Sequence, residues 1–193
     1  MKRRKVTSGC GSRSECWTSS TLRLAVACLV CALAGSFAGS VARAQQAAEA
    51  PDALAAILPE LKSQTRVPIL LPRKLPTLSK TTYYPHIKGD SVGYTIRIDS
   101  DPDCDGANAC FLGMLRAKRG GRYSFPDVVK LGETETARYK PITCGGSCSA
   151  ATIEWKYEGV LYIAQMNLKT ENEKEARAEM IELAKSAVAS GPR

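Results

Sequence analysis

Asp99, Asp101, Asp103 and Asp105 occupy every second position of the run DSDPDCD, and Gly106 closes it. Alternate carboxylates ending in glycine form the first half of a calcium loop, in which oxygen ligands converge on a hard cation. Asp101, Asp103 and Asp105 are therefore the candidate metal ligands, and calcium is the candidate ion; no other cofactor is expected. The second half of such a loop is missing, because Leu112 stands where the closing bidentate Glu belongs. The flanking residues also read as strands, not helices. Carboxylates this close together repel one another until solvent, a cation or a basic neighbour compensates. The plainer reading is a solvated acidic turn. Other catalytic candidates are thin. His86 is the sole histidine, and Ser147 and Ser149 have no identifiable base. No catalytic residue is assigned.

Cys104, Cys110, Cys144 and Cys148 form a C-x5-C and a C-x3-C pair. This spacing fits poorly with the tight knuckles of a four-thiolate zinc site, and no histidine lies nearby. A redox-active pair needs a thiolate stabilised by a helix N-terminus or a cation, and Gly145-Gly146-Ser147 offers neither. Two disulfides remain, with three possible connectivities. The chain-entropy model credits a long cross-link from Cys110 to Cys144 with about 4 kcal/mol and each short ring with roughly 2. Short rings close faster, and the glycines permit a tight one. Local pairing, Cys104–Cys110 and Cys144–Cys148, is the expectation.

The compartment follows from the first 44 residues. A basic MKRRK start, an apolar run from Leu24 to Ala38 and the sequence Ala42-Arg43-Ala44 read as a cleavable export signal, with the cut before Gln45. The apolar run is short for a membrane span, which needs ~20 residues. Cys28 and Cys31 raise a lipid anchor and Arg3-Arg4 a twin-arginine route, but the residues around each fit poorly. Residues 45–193 then form the exported domain, periplasmic or secreted, with no integral span.

Charge depends on that cut. The whole chain has 27 Lys and Arg against 19 Asp and Glu, a net of +8. Seven of those bases and one acid lie in residues 1–44, which leaves 20 against 18. The basic balance belongs largely to the leader and gives no reason to expect a nucleic-acid partner.

Periodicity supplies the framework. Residues 152–168 alternate around Glu158-Gly159 as a hairpin. Tyr94, Ile96 and Ile98 alternate as a strand that also takes in Val92, and residues 110–119 are apolar on both faces, as in a central strand. Residues 81–87 make a weaker strand, and 127–131 with 136–142 a further hairpin. The proline-bounded run Val67–Pro72 reads as a buried or edge strand. An N-terminal helix over 52–62 starts at Asp52 as N-cap and is interrupted at Pro59. The C-terminal helix opens on a Thr170/Glu173 capping box, buries Ala176, Met180, Leu183, Ala184 and Ala187, and ends at Gly191-Pro192. The expected fold is α+β, a single domain with an antiparallel β-meander, a short N-terminal helix and the C-terminal helix packed on one face.

The pieces VPILLP, GYTIRID, the Cys104/Cys110 loop with CFLG, and CGGSC followed by IEWKYEGVLYIAQ resemble those of small uncharacterised exported bacterial proteins. The resemblance implies export and this fold, and no particular chemistry. The expected function is a non-catalytic envelope or secreted module that binds an envelope or extracellular partner. The alternative is a calcium-binding or metal-dependent hydrolytic protein using the Asp99–Asp105 loop.

Overall fold

The computed structural model describes residues 50–104, 106–145 and 147–193. The export-signal reading of residues 1–44 and the metal-ligand reading of Asp105 lie outside them. Helix α1 spans Ala50–Gln64, and the strands are β1 (Tyr84–Asp90), β2 (Gly93–Asp99), β3 (Phe111–Arg119), β4 (Val128–Lys130), β5 (Thr136–Lys140), β6 (Thr143–Cys144), β7 (Cys148–Ser149), β8 (Ala151–Tyr157) and β9 (Val160–Met166); helix α2 (Glu173–Ser190) follows. Seven strands pair antiparallel in the order β1-β2-β3-β9-β8-β5-β4, and β6 with β7 forms a separate two-strand ribbon. The fold is α+β, as the alternation and the terminal helix require.

Chain order breaks once. After β3 the chain leaves for the far edge, lays down β4 and β5, and returns through β8 and β9 to pair with β3. Residues 120–127 make that crossing over one face of the sheet. A Cβ on Gly121 would stand 2.7 Å from that of Leu161 on β9, so only glycine lets the backbone lie this close. Further along, Ser124 donates its N–H to Glu154 of β8 at 2.7 Å.

The other face is the core. Tyr94, Ile96 and Ile98 of β2, Leu115 and Ala117 of β3, Tyr162, Ala164 and Met166 of β9, Ile153 and Trp155 of β8, and Tyr139 of β5 share it and are buried. The five expected α2 residues, from Ala176 to Ala187, are buried with them. Trp155 and Tyr162 are cross-strand partners whose rings stack at 5.7 Å. The turn between β8 and β9 has positive φ at both Glu158 (48°) and Gly159 (75°), the signature of a tight hairpin turn whose twist matches its strands.

Four local readings change. Helix α1 runs unbroken through Pro59 and begins at Ala50, before Asp52. A proline in a helix removes one backbone bond, and burial of Leu54 and Leu61 on either side holds the helix together. The Val67–Leu71 run is buried but is not a strand. Its backbone is satisfied by side chains: Leu70 N–H donates to the Tyr94 hydroxyl at 3.2 Å, and the Tyr162 hydroxyl donates to the Pro68 carbonyl at 2.7 Å. Val92 lies outside β2 and is 53% exposed, because Asp90 Oδ1 takes its N–H in a turn. Helix α2 is capped by Asn172, whose side chain accepts from Lys174 and Glu175 N–H. Thr170 instead accepts the Asn172 N–H and donates to Glu175.

Candidate functional site

Cys104 is bonded to Cys110 and Cys144 to Cys148, with Cα separations of 6.1 and 4.0 Å. The sheet explains the local pairing. Cys110 leads into β3 and Cys148 leads into β8, and β9 lies between those strands. Two strand spacings are about 10 Å, beyond the ~7 Å that a disulfide can bridge.

The face opposite the helices is built from the other half of each strand's alternation. One rung across it reads His86, Arg97, Met114, Gln165, Thr152 and Lys140, from β1 to β5. The next rung reads Lys88, Thr95, Arg116, Ile163, Glu154 and Arg138. Over the first rung lies a trough of about 420 Å³. Its floor is Met114 and Gln165. Asn108 and Phe111 line one wall, and Ile142 and Ser147–Ala150 line the other. Each wall is the end of a disulfide ring. The ribbon of β6 and β7 stiffens the second wall, where the Thr143 and Ser149 hydroxyls meet at 2.7 Å.

Arg97 anchors the first wall. Its Nε donates to both oxygens of Asp99 at 3.0 and 2.8 Å, its Nη2 donates to the Ala107 carbonyl at 3.0 Å, and its guanidinium lies 5.0 Å over the Phe111 ring. Asp99 is fully buried and belongs to β2, not to the loop. One bond ties the arginine to the sheet and another ties the disulfide ring to the arginine.

Arg97 also lines a second cleft, about 350 Å³, with His86, Asp99, Pro102, Asp103, Cys104 and Gly106. Here His86 Nε2 stands 3.8 Å from the Asp99 carboxylate. The candidate ligands are only partly gathered. Asp101 Oδ1 accepts the N–H of Asp103 at 2.9 Å, closing a turn. Among the described residues no three His, Cys, Asp or Glu side chains are grouped to hold a metal ion. Ser147 and Ser149 belong to the trough and His86 to the second cleft.

The trough itself was not visible as a motif. Its residues come from β2, β3 and β9 and from the segment before β8, and each is unremarkable alone. The hint available in the sequence was that each cysteine ring immediately precedes a strand, β3 or β8; that these two flank the same central strand emerges only from the sheet order.

Among the described residues no helix is long and apolar enough to cross a membrane. Comparison with protein-family models, with curated proteins and with solved structures finds no match.

Proposed function

We propose that this chain is an exported, non-catalytic binding module, periplasmic or secreted, that takes its ligand in the trough between the two disulfide rings. The observation that carries the reading is the pairing of one open groove with two covalent clasps, one at each wall. The helix-covered core is large enough to fold without them. Short rings placed at a groove restrain its rim and so reduce the ordering cost of binding. Disulfides persist in oxidising compartments, which supports export.

Two measurements test this. Fractionation of expressing cells, with thiol titration of the native protein, is expected to find a chain beginning at Gln45 outside the cytosol with no free thiol. Full-length cytosolic chain with four free thiols overturns export. Amide-shift mapping with solubilised envelope fragments is expected to move Met114, Gln165 and Ser149. Shifts confined to other regions, or none with any fragment class, overturn the binding site.

The second reading, calcium binding or metal-dependent hydrolysis at the Asp99–Asp105 loop, draws support from the cleft that His86 and Asp103 share. Against it, the Asp99 carboxylate is already engaged by Arg97. Stripping the protein with a chelator is therefore expected to leave its melting temperature unchanged. A fall of several degrees, restored by calcium, would favour the second reading.

A further inference from the structure

One end of the sheet carries a charge that the rest of the chain lacks. Arg119 N–H donates to the Val92 carbonyl at 2.8 Å and Gly120 N–H to the Gly159 carbonyl at 3.2 Å. The β1–β2 turn, the end of β3 and the β8–β9 turn therefore stand side by side. The end of α1 joins them: Gln64 accepts the Gly89 N–H at 2.9 Å, and the Thr65 hydroxyl donates to the Gly93 carbonyl at 3.1 Å. Residues 60–66, 88–93, 116–122 and 157–159 form this end. They hold seven of the 20 bases and three of the 18 acids that follow residue 44. The remainder is 13 bases against 15 acids, so the positive excess is confined to this end. At its centre is a dent of about 360 Å³, floored by Gly93 and Thr95 and ringed by Lys88, Arg116 and Lys118. All three cations are exposed. Among the described residues none of them is in an ion pair or a cation–ring contact. Asp90, the acid of the rim, serves its own turn: Oδ1 accepts the N–H groups of Val92 and Gly93, both at 2.8 Å. Val92 stands at the tip, 53% exposed. Its N–H and its carbonyl are both bonded within the protein, so the tip can leave water without orphaning a backbone group.

We propose that this end of the sheet docks peripherally on an anionic phospholipid bilayer, with lipid phosphates at Lys88, Arg116 and Lys118 and the Val92 side chain at headgroup depth. The dent shares no lining residue with the trough, and the proposal does not depend on what the trough binds. A bilayer offers both things that this surface asks for, anionic headgroups and an apolar boundary beneath them. Lysine and arginine suit that boundary, because their stems lie along apolar groups while their charged heads reach the phosphates. A soluble polyanion satisfies the cations but leaves Val92 without a role. Single-stranded nucleic acid is held by free aromatic faces on which bases stack. The one ring in these four segments, Tyr157, packs against the core. Each cation close to an anionic membrane is worth roughly fivefold in affinity, so three acting together give reversible docking without a spanning helix.

The described core lies within residues 53–193. The test therefore uses residues 45–193, which removes the apolar run of the leader as a competing lipid contact. Vesicles of phosphatidylglycerol in phosphatidylcholine are expected to carry the protein upward in flotation at low salt, and less of it as salt rises. Pure phosphatidylcholine vesicles are expected not to. The triple variant Lys88→Gln/Arg116→Gln/Lys118→Gln is expected to bind the anionic vesicles about a hundredfold more weakly. Lys80→Gln/Lys169→Gln/Lys174→Gln removes the same charge from segments at the far end of β9 and is expected to bind like the wild type. Thermal melts check that both variants are folded. Trp155 is buried, so Val92→Trp supplies an exposed reporter. Its emission is expected to move to the blue on anionic vesicles and to be quenched by lipids brominated along their chains. Absence of flotation with anionic vesicles overturns the proposal. So does an equal loss in the two folded triple variants, which would assign binding to net charge and not to this surface. Soluble glycerol phosphate that binds as tightly as the vesicles, or duplex DNA that binds more tightly, overturns the bilayer as the partner. An unmoved Val92→Trp emission on vesicles that do bind the protein overturns the docking orientation.

Discussion

Arg97 and Asp99 show how much one pair of side chains can hold. The carboxylate is fully buried, and the guanidinium is the group that compensates it while reaching the disulfide ring at Ala107. Removing one partner of such a pair leaves the other buried and unpaired, which costs more than the pair contributes. Arg97→Ala is expected to lower stability by about 3 kcal/mol in urea titration and to speed amide exchange in residues 104–110. A loss below about 1 kcal/mol would mean that solvent already compensates Asp99. Tyr94 is one of two core tyrosines, with Tyr162, whose burial weakens the fold at alkaline pH. Burial pushes the Tyr94 hydroxyl above its ordinary value of 10.0, with the nearby Tyr162 adding to the shift. Once pH exceeds that value the unfolded chain gives up its proton while the folded one keeps it. Stability from this group is therefore complete below about pH 10 and falls as pH rises further. Tyr94→Phe is expected to flatten that alkaline fall in melts taken between neutral and strongly alkaline pH. It also loses the contacts with Leu70, worth about 1 kcal/mol at neutral pH.

At the scale of elements, α2 illustrates which signals carry. Its buried stripe and its glycine terminus follow from spacing alone, since 3.6 residues per turn bring Ala176, Met180, Leu183, Ala184 and Ala187 to one side. Its start does not, because Thr170, Asn172 and Glu173 are all competent near an N-terminus and the chain entering from β9 decides among them. Asn172→Ala is expected to cost about 1 kcal/mol in thermal melts and Thr170→Ala distinctly less. The reverse order would restore the threonine as cap. The proline-bounded run at Val67–Leu71 failed for a similar reason. Apolar composition reports burial, and it reports strand pairing only when a neighbouring edge is free. Here Tyr94 and Tyr162 supply the missing partners from inside the core.

At the scale of the whole molecule, the sheet does two jobs on two faces. One face, with α2, forms the core; the other presents the clasped trough. The disulfides belong to the second job. Each short ring is worth roughly 2 kcal/mol in the chain-entropy model. Reduction is therefore expected to lower the melting temperature by several degrees per ring while leaving far-UV dichroism intact. Loss of the sheet signal on reduction would show that the core depends on the clasps.

The β8–β9 hairpin, the buried half of β2, the helix stripe and the short cysteine rings are local properties, written in periods of 2 and 3.6 and in cysteine spacing; the sequence by itself determined them. Three things were decided only in the tertiary structure: the crossing of residues 120–127, the placing of β9 between β3 and β8, and the burial of Asp99 and Glu154 beneath a basic face. Each depends on which distant strands become neighbours. A balance of 20 bases against 18 acids after residue 44 conceals a basic outer face until pairing sorts the side chains by face.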